Sequence, residues 1–259
     1  MDSTIKAIFF DIDHTLYSHS AKRIPASTWD ALKALREKGI MLFIASGRQY
    51  KEMFILDEDW DFFDGYVTLN GTVVLDAEGR MLASFPLDEA ARASAVRLFE
   101  SRTVPLIVVE KDRLYANMYD ENVYLAQKRI STPLPEIQDL GDEPIYQLIF
   151  YATREHEADI MDLLDGCVAN RWNEYAFDVI RSDAGKDKGI LAALDHYGLR
   201  GDECMVFGDG DNDISMLSAF RNSVAMGNGT EGARAAASFV TKDIDEGGVP
   251  YALERFGLL

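Results

Sequence analysis

Ala7-Ile8-Phe9-Phe10-Asp11-Ile12-Asp13-His14-Thr15-Leu16 passes from four apolar residues straight into two carboxylates and a hydroxyl. Four apolar residues without alternation read as a strand buried on both faces, the pattern of a parallel sheet. The same pattern returns along the chain. Met41 to Ala45 precedes Ser46, Tyr66 to Leu69 precedes Asn70, and Cys204 to Phe207 precedes Gly208-Asp209; Ser223 to Met226 precedes Gly227-Asn228, and Phe239-Val240-Thr241 closes the set. Helical segments alternate with these runs. Pro25 to Lys38 carries Trp29, Leu32 and Leu35 on one face and stops at Gly39; Asp187 to Tyr197 presents Ile190, Leu191 and Leu194 and stops at Gly198. The alternation predicts an α/β fold with a doubly wound, Rossmann-like parallel sheet, whose ligands gather beyond the carboxyl ends of its strands. Every polar residue just named falls at such an end.

The middle of the chain reads differently. Val73-Val74-Leu75 and Met81-Leu82-Ala83 flank Asp76-Ala77-Glu78-Gly79 as a hairpin. Beyond it, helix-like stretches (Asp88 to Glu100, Glu155 to Leu164) mix with strand-like ones (Leu106 to Val109, Tyr146 to Tyr151, around Val168, Phe177 to Arg181). This predicts a core over residues 1–84 and 185–259, interrupted by an inserted α+β domain over 85–184.

Charge and composition exclude several partners. The 44 acidic residues outnumber the 26 basic ones, for a net charge of -18. That field repels nucleic acid and anionic membrane surfaces, and no basic run opposes it locally. The apolar run ending at Asp11 is too short for a signal peptide or a membrane span, so a cytoplasmic location is expected. Two cysteines and four histidines show no zinc spacing, and a structural disulfide is not expected.

Four groups carry possible chemistry. Asp11 and Asp13 alternate where a strand ends, so one carboxylate could attack phosphorus while the other handles protons and lends a backbone carbonyl to a metal. Alone, Asp13 and Thr15 read more readily as a turn. Gly208-Asp209-Gly210-Asp211-Asn212-Asp213 concentrates acids that repel one another without a hard cation such as Mg2+. It is not a calcium loop, because Ile214 stands where glycine is needed and Phe220 where the bidentate glutamate is needed; an acidic helix start is the plainer alternative. Ser46-Gly47-Arg48 offers a hydroxyl and backbone N–H groups for phosphate oxygens, or a simple helix cap. Lys186 by itself reads as a solvated surface charge. Together, though, a nucleophile, an acid–base partner, a hydroxyl, a lysine and metal carboxylates make a complete phosphoryl-transfer set.

In this order the four groups resemble the motifs of the haloacid dehalogenase superfamily: Asp11-Ile12-Asp13-His14-Thr15-Leu16, then Ser46-Gly47-Arg48, then Lys186, then Gly208 to Asp213. The spacing and Leu69-Asn70-Gly71 are similar to the Cof-type branch, subclass IIB, whose large α+β cap is inserted into the core. The resemblance covers about residues 5–80 and 184–256. It implies a Mg2+-dependent phosphatase acting on a small phosphorylated metabolite, such as a sugar phosphate, through an aspartyl-phosphate. It also implies roles: Asp11 as nucleophile, Asp13 as general acid and then base, and Ser46, Gly47, Lys186 and Asn212 on the phosphate. Asp209 would bind the metal with Asp11 and the Asp13 carbonyl, and Asp213 would support the metal and Lys186. His14 has no assigned role. Arg171 to Tyr175 is a candidate loop for substrate selection. Two other readings stay open, a sugar-phosphate mutase of the same superfamily and a phospho-aspartate signalling receiver, although the length and the insertion argue against the receiver.

Overall fold

The computed structural model describes residues 4–53, 56, 62–130 and 133–259. The chain divides into two compact units, one made of Met1–Ser84 with Gly185–Leu259 and the other of Phe85–Ala184. In chain order the first unit begins with β1 (Ala7–Phe10), α1 (Ala26–Glu37), β2 (Met41–Ala45), β3 (Gly65–Thr68), β4 (Val73–Asp76) and β5 (Met81–Ser84). The second contributes α2 (Glu89–Ser101), β6 (Leu106–Val109), β7 (Leu114–Ala116), α3 (Glu121–Ile130), β8 (Gln147–Phe150), α4 (Arg154–Met161), β9 (Cys167–Asn173) and β10 (Ala176–Arg181). The chain then returns to the first unit with α5 (Lys186–His196), β11 (Cys204–Gly208), α6 (Ile214–Ala219), β12 (Asn222–Ala225), α7 (Glu231–Ala236), β13 (Phe239–Val240) and α8 (Gly248–Arg255).

In the first unit one sheet runs β13-β12-β11-β1-β2-β3-β4-β5. Pairing is parallel from β13 to β3, and β4 and β5 add an antiparallel edge, so the hairpin read at 73–83 belongs to the core sheet. The uninterrupted apolar runs have a physical cause here: both sheet faces are covered. Ala7 and Phe9 pack with Phe43, Val67, Ile190, Leu194, Val206 and Leu217, a cluster that α5 and α6 complete. Ile8, Phe10, Leu42, Ile44 and Phe207 are equally buried, and α1 packs against β2 and α8. Phe9 stacks on Phe43 at 4.5 Å, and Phe10 on Phe207 at 4.9 Å. Truncating Phe9 to alanine in this setting costs about 3–5 kcal/mol.

Two helix faces differ in detail from the expected stripes. In α1 the buried positions are Thr28, Ala31, Leu32 and Leu35, while Trp29 is half-buried and meets Phe62 edge-on at 5.3 Å. In α5 the buried line is Gly189, Ile190, Ala193 and Leu194, and Leu191 turns outward, because successive helical residues are about 100° apart.

The second unit has its own antiparallel sheet, ordered β7-β6-β8-β10-β9. Leu106, Val108, Leu148, Phe150, Phe177 and Val179 form one face of it, packed on Ala91, Ala95, Leu98 and Phe99 of α2 and on Ile160 of α4. Asp88 caps α2 by accepting the Ala91 N–H at 2.9 Å. Because β9 is an edge strand, Cys167 is only half-buried; Cys204, in the middle of the core sheet, is fully buried, and both thiols are free. Among the described residues, no helix is long and apolar enough to cross a membrane.

Candidate active site

Register brings the motifs to one level. Phe10 pairs with Ile44 on one side and Phe207 on the other, so Asp11, Ser46 and Gly208-Asp209 emerge from three neighbouring strand ends. Ala45 pairs in turn with Val67, which adds Asn70 beyond β3. The Asp11 N–H donates to the Phe207 carbonyl at 2.9 Å, extending the ladder one residue past β1. Asn70 adopts a left-handed conformation, φ 54°, in the turn that follows β3. The end of that turn touches the start of α5. A side chain on Gly71, whose φ is +94°, would overlap the Gly185 carbonyl, so only glycine allows the approach that brings in Lys186.

Lys186 is almost completely buried, and its Nζ donates to Asp11 Oδ1 at 2.6 Å and to Asp213 Oδ1 at 2.5 Å. Lys188, two residues on, is half-exposed and pairs with Asp187 at 3.4 Å. Asp213 uses its second oxygen as well, with Oδ2 accepting the N–H groups of Asp209 at 2.8 Å and Gly210 at 2.9 Å. This packs its carboxyl onto Gly208, where a Cβ would stand 2.6 Å from Cγ. The loop between β11 and α6 is thus built around one buried carboxylate. Thr15, fully buried in the turn after β1, donates its hydroxyl to Asp209 Oδ1 at 2.8 Å. Asn212 Nδ2 donates to Asn70 Oδ1 at 3.1 Å. Ser46 is buried at the end of β2 and accepts the Arg48 N–H on Oγ at 3.3 Å. Gly47 lies against the Asn70 amide, where a Cβ would come within 3.0 Å of Oδ1.

The charges at this spot do not balance. Carboxylate oxygens of Asp11, Asp209 and Asp213 lie within 4.8 Å of one another, facing a single ammonium. Burial pushes the Asp11 carboxyl up, Lys186 opposes this, and Asp213 and Asp13 push it further up. Asp209 is raised by burial, then by Asp11 and Asp213. For Lys186, burial favours the neutral form, but its two carboxylate partners outweigh it and hold the ammonium charged. A crowded set of hard oxygen donors with one positive charge fits a divalent cation such as Mg2+. Asp213 spends both oxygens on Lys186 and the backbone, which leaves Asp11 and Asp209 as the carboxylates with capacity for one.

Asp13 stands outside this acidic group. Its Oδ2 accepts from Arg48 Nε at 2.7 Å, and its Oδ1 meets both Arg48 Nη2 and His19 Nε2 at 2.7 Å. Burial would raise this carboxyl, but the bonds from His19 and Arg48 overcome it and hold it well below the usual carboxylate range. The structure therefore brings Asp11, Lys186, Asp209 and Asp213 into one network and sets the Asp13 carboxylate in another. Thr15, His19, Arg48 and Asn70 carry no role in the sequence reading. Thr15, Arg48 and Asn70 do lie inside the motifs quoted for it; nothing in the sequence marks His19.

The sequence model of the haloacid dehalogenase-like hydrolases matches residues 8–253 of this chain. The chain belongs to that family. Among haloacid dehalogenase-like relatives, YkrA of Bacillus subtilis, a protein assigned to the phosphatases, is 33% identical over 100% of both chains. Two solved structures share the fold closely. BT1666 of Bacteroides thetaiotaomicron, from a study of phosphatases of this superfamily, superposes with a TM-score of 0.91 at 30% identity, covering 99% of this chain and 96% of its own. The subclass IIB sugar phosphatase BT4131 gives 0.88 at 33% identity, covering 98% and 100%. Within the haloacid dehalogenase-like hydrolases this chain is of the Cof type, a hydrolase of phosphoric monoesters.

Proposed function

We propose that this chain is a Mg2+-dependent phosphatase that cleaves a small phosphorylated metabolite, of the sugar-phosphate kind, through an aspartyl-phosphate on Asp11. The observation that carries the reading is the buried Lys186 bridging Asp11 and Asp213 beside Asp209. A charged lysine with two carboxylates and no solvent is costly unless the site uses the charge, and phosphoryl transfer uses it by neutralising phosphate oxygens. The sugar-phosphate preference rests on the likeness to a sugar phosphatase over the whole chain. We assign residues 1–84 and 185–259 to the catalytic core and residues 85–184 to a cap that selects the substrate.

Asp11, Asp209 and the Asp13 main-chain carbonyl would hold Mg2+, which when bound supplies charge neutralisation between the nucleophile and the phosphoryl group. In the first step an Asp11 carboxylate oxygen bonds to phosphorus, the P–O ester bond breaks, and Asp13, which must first take up a proton against its bonds from Arg48 and His19, gives that proton to the leaving oxygen. In the second, water attacks phosphorus, Asp13 takes the water proton, and the Asp11–phosphorus bond breaks to release phosphate. Ser46, the Gly47 N–H, Lys186 and Asn212 hold the phosphate oxygens, and Asp213 keeps Lys186 and the Asp209 loop in place.

The test is phosphate release from a panel of sugar phosphates and other phosphomonoesters, before and after chelation and with Mg2+ restored. Free phosphate that disappears on chelation and returns with Mg2+ is the expected result. Activity untouched by chelation would remove the metal from the reading, and isomerised product without free phosphate would replace hydrolysis by the mutase reaction.

A further inference from the structure

Asp13 has more partners than a simple turn residue needs. Its two oxygens accept three bonds, two from the planar fork of Arg48 and one from His19, each 2.7 Å long. A forked pair of this kind fixes both the plane and the direction of a carboxylate, which a point charge does not. Both partners are themselves held. Arg48 is largely buried, its N–H donates to Ser46 Oγ at 3.3 Å, and its carbonyl accepts the Leu69 N–H at 3.1 Å, which ties it to the frame of β2 and β3. His19 rides on a loop closed by Ser18 N–H to Arg23 O at 3.0 Å and by Asn228 Nδ2 to the His14 carbonyl at 2.8 Å. Asp245 anchors the same loop, accepting from Ser18 Oγ at 2.6 Å and from Ser20 Oγ at 2.5 Å. Tyr17 packs edge-on against the His19 ring at 5.2 Å.

We infer that Arg48 and His19 are positioning residues: a two-sided clamp that aims the Asp13 carboxylate for its proton transfers. The inference rests on the acid–base role proposed above for Asp13. An aspartate alone has two free torsions, and a proton donor misplaced by about 1 Å can cost about a hundredfold. The obvious rival is that Arg48 binds the substrate phosphate directly, since arginine forks match phosphate as well as carboxylate. Here the fork is already committed to Asp13.

The experiment uses the full chain with Mg2+ and two substrates, phenyl phosphate and 2,4-dinitrophenyl phosphate. The second has an acidic leaving group that needs no proton, and kcat/KM reports only the steps through departure of that group. We expect Arg48→Ala to lower kcat/KM on phenyl phosphate by about 10- to 100-fold and on the dinitrophenyl ester by no more than about twofold. His19→Ala should show the same selectivity with a smaller loss, and His19→Gln, which keeps an N–H donor, should recover most of it. In an Asp13→Asn background neither substitution should cost anything further. Equal losses on both substrates, or losses that persist beside Asp13→Asn, would show that Arg48 serves the phosphate and would overturn the clamp. Unchanged kinetics in both variants would overturn it too. Asp13→Asn alone separates the layers: if it lacks leaving-group selectivity, the acid–base reading falls and the clamp with it. If it has that selectivity while Arg48→Ala and His19→Ala do not, only the clamp fails. His19 is exposed enough for its variants to fold even where Arg48→Ala does not, and Arg48→Gln is a milder companion.

Discussion

Asp11 and Asp13 stand two residues apart at the end of one strand, yet their surroundings are opposites. Around Asp11 gather two more carboxylates and one shared lysine, in a spot nearly closed to solvent. Around Asp13 gather an arginine fork and a histidine, with part of the carboxyl open to water. Burial raises the first carboxyl and lets Lys186 only partly restore it; the second is drawn well below the ordinary range by its partners. The difference teaches how one short motif gives two carboxylates opposite surroundings, as the two roles proposed for them require. A carboxylate short of positive charge welcomes a cation and a phosphoryl group, whereas one already supplied with donors has its direction fixed.

The sharpest way to break the contrast is to remove the charge at position 11. Asp11→Asn should abolish turnover on every substrate, because an amide forms no phosphoenzyme. Steady phosphate release from this variant would end the nucleophile assignment. Next in size is Lys186→Met, which strands two buried carboxylates. We expect near-complete loss of activity together with about 3–5 kcal/mol of stability in metal-free protein, read by urea unfolding. Lys188→Met, at a half-exposed position, should stay within about 0.5 kcal/mol of the parent. Similar effects at both lysines would contradict the assignment of the buried one.

Asp13→Asn sharpens the comparison rather than breaking it. The acid step of an aryl phosphate with an acidic leaving group should partly survive, while the water step slows by roughly a hundredfold or more. A burst of aryl alcohol of at most about one equivalent per site, with phosphate trapped on the Asp11 peptide, is the expected rapid-quench and mass-spectrometric result. Steady turnover with neither burst nor adduct would overturn the two-step scheme.

Much of this was legible in the sequence because the groups lie at strand ends, where an apolar run stops and a polar residue follows. Asp11, Ser46 and Asp209 each sit one residue beyond the end of a strand, and β1, β2 and β11 are neighbours in the sheet. The partners of those residues were much harder to read. Arg48 meets Asp13 across 35 positions and Lys186 meets Asp11 across 175, and no local pattern specifies which oxygen takes which donor. Thr15 reads as a turn residue, and it is one, with its N–H on the Ile12 carbonyl at 3.3 Å; its hydroxyl bond to Asp209 depends on β1 and β11 meeting. In the inserted unit α3 went unread because Val123 to Ala126 form one contiguous apolar run rather than a helical period, and β7 because three residues are too few to show a period.

The smallest effect expected is also the one that tests the charge imbalance without any substitution. In metal-free protein, burial raises Asp11 and Asp209 above the usual carboxylate range, Lys186 opposing and the neighbouring acids adding to the shift. A carboxyl whose pKa is raised by folding holds its proton more tightly when folded. Its contribution is therefore fully present below the unfolded pKa and is lost as pH rises through the folded one. Asp13 runs the other way, contributing above the ordinary range and losing that contribution as pH falls towards its lowered folded pKa. Chelated protein should accordingly lose stability at this site as pH climbs from about 5 to about 8. Mg2+ should offset the loss, since it binds the ionised pair and competes with their protons. At about a hundred times its Kd the ion adds about 2.7 kcal/mol, enough for a Tm rise of about 5 °C or more in a protein of this size. Calorimetry with and without Mg2+ across that pH range should find a gap that widens with pH, and Asp209→Ala should close it. A gap of constant size would show that the cation binds somewhere other than this pair.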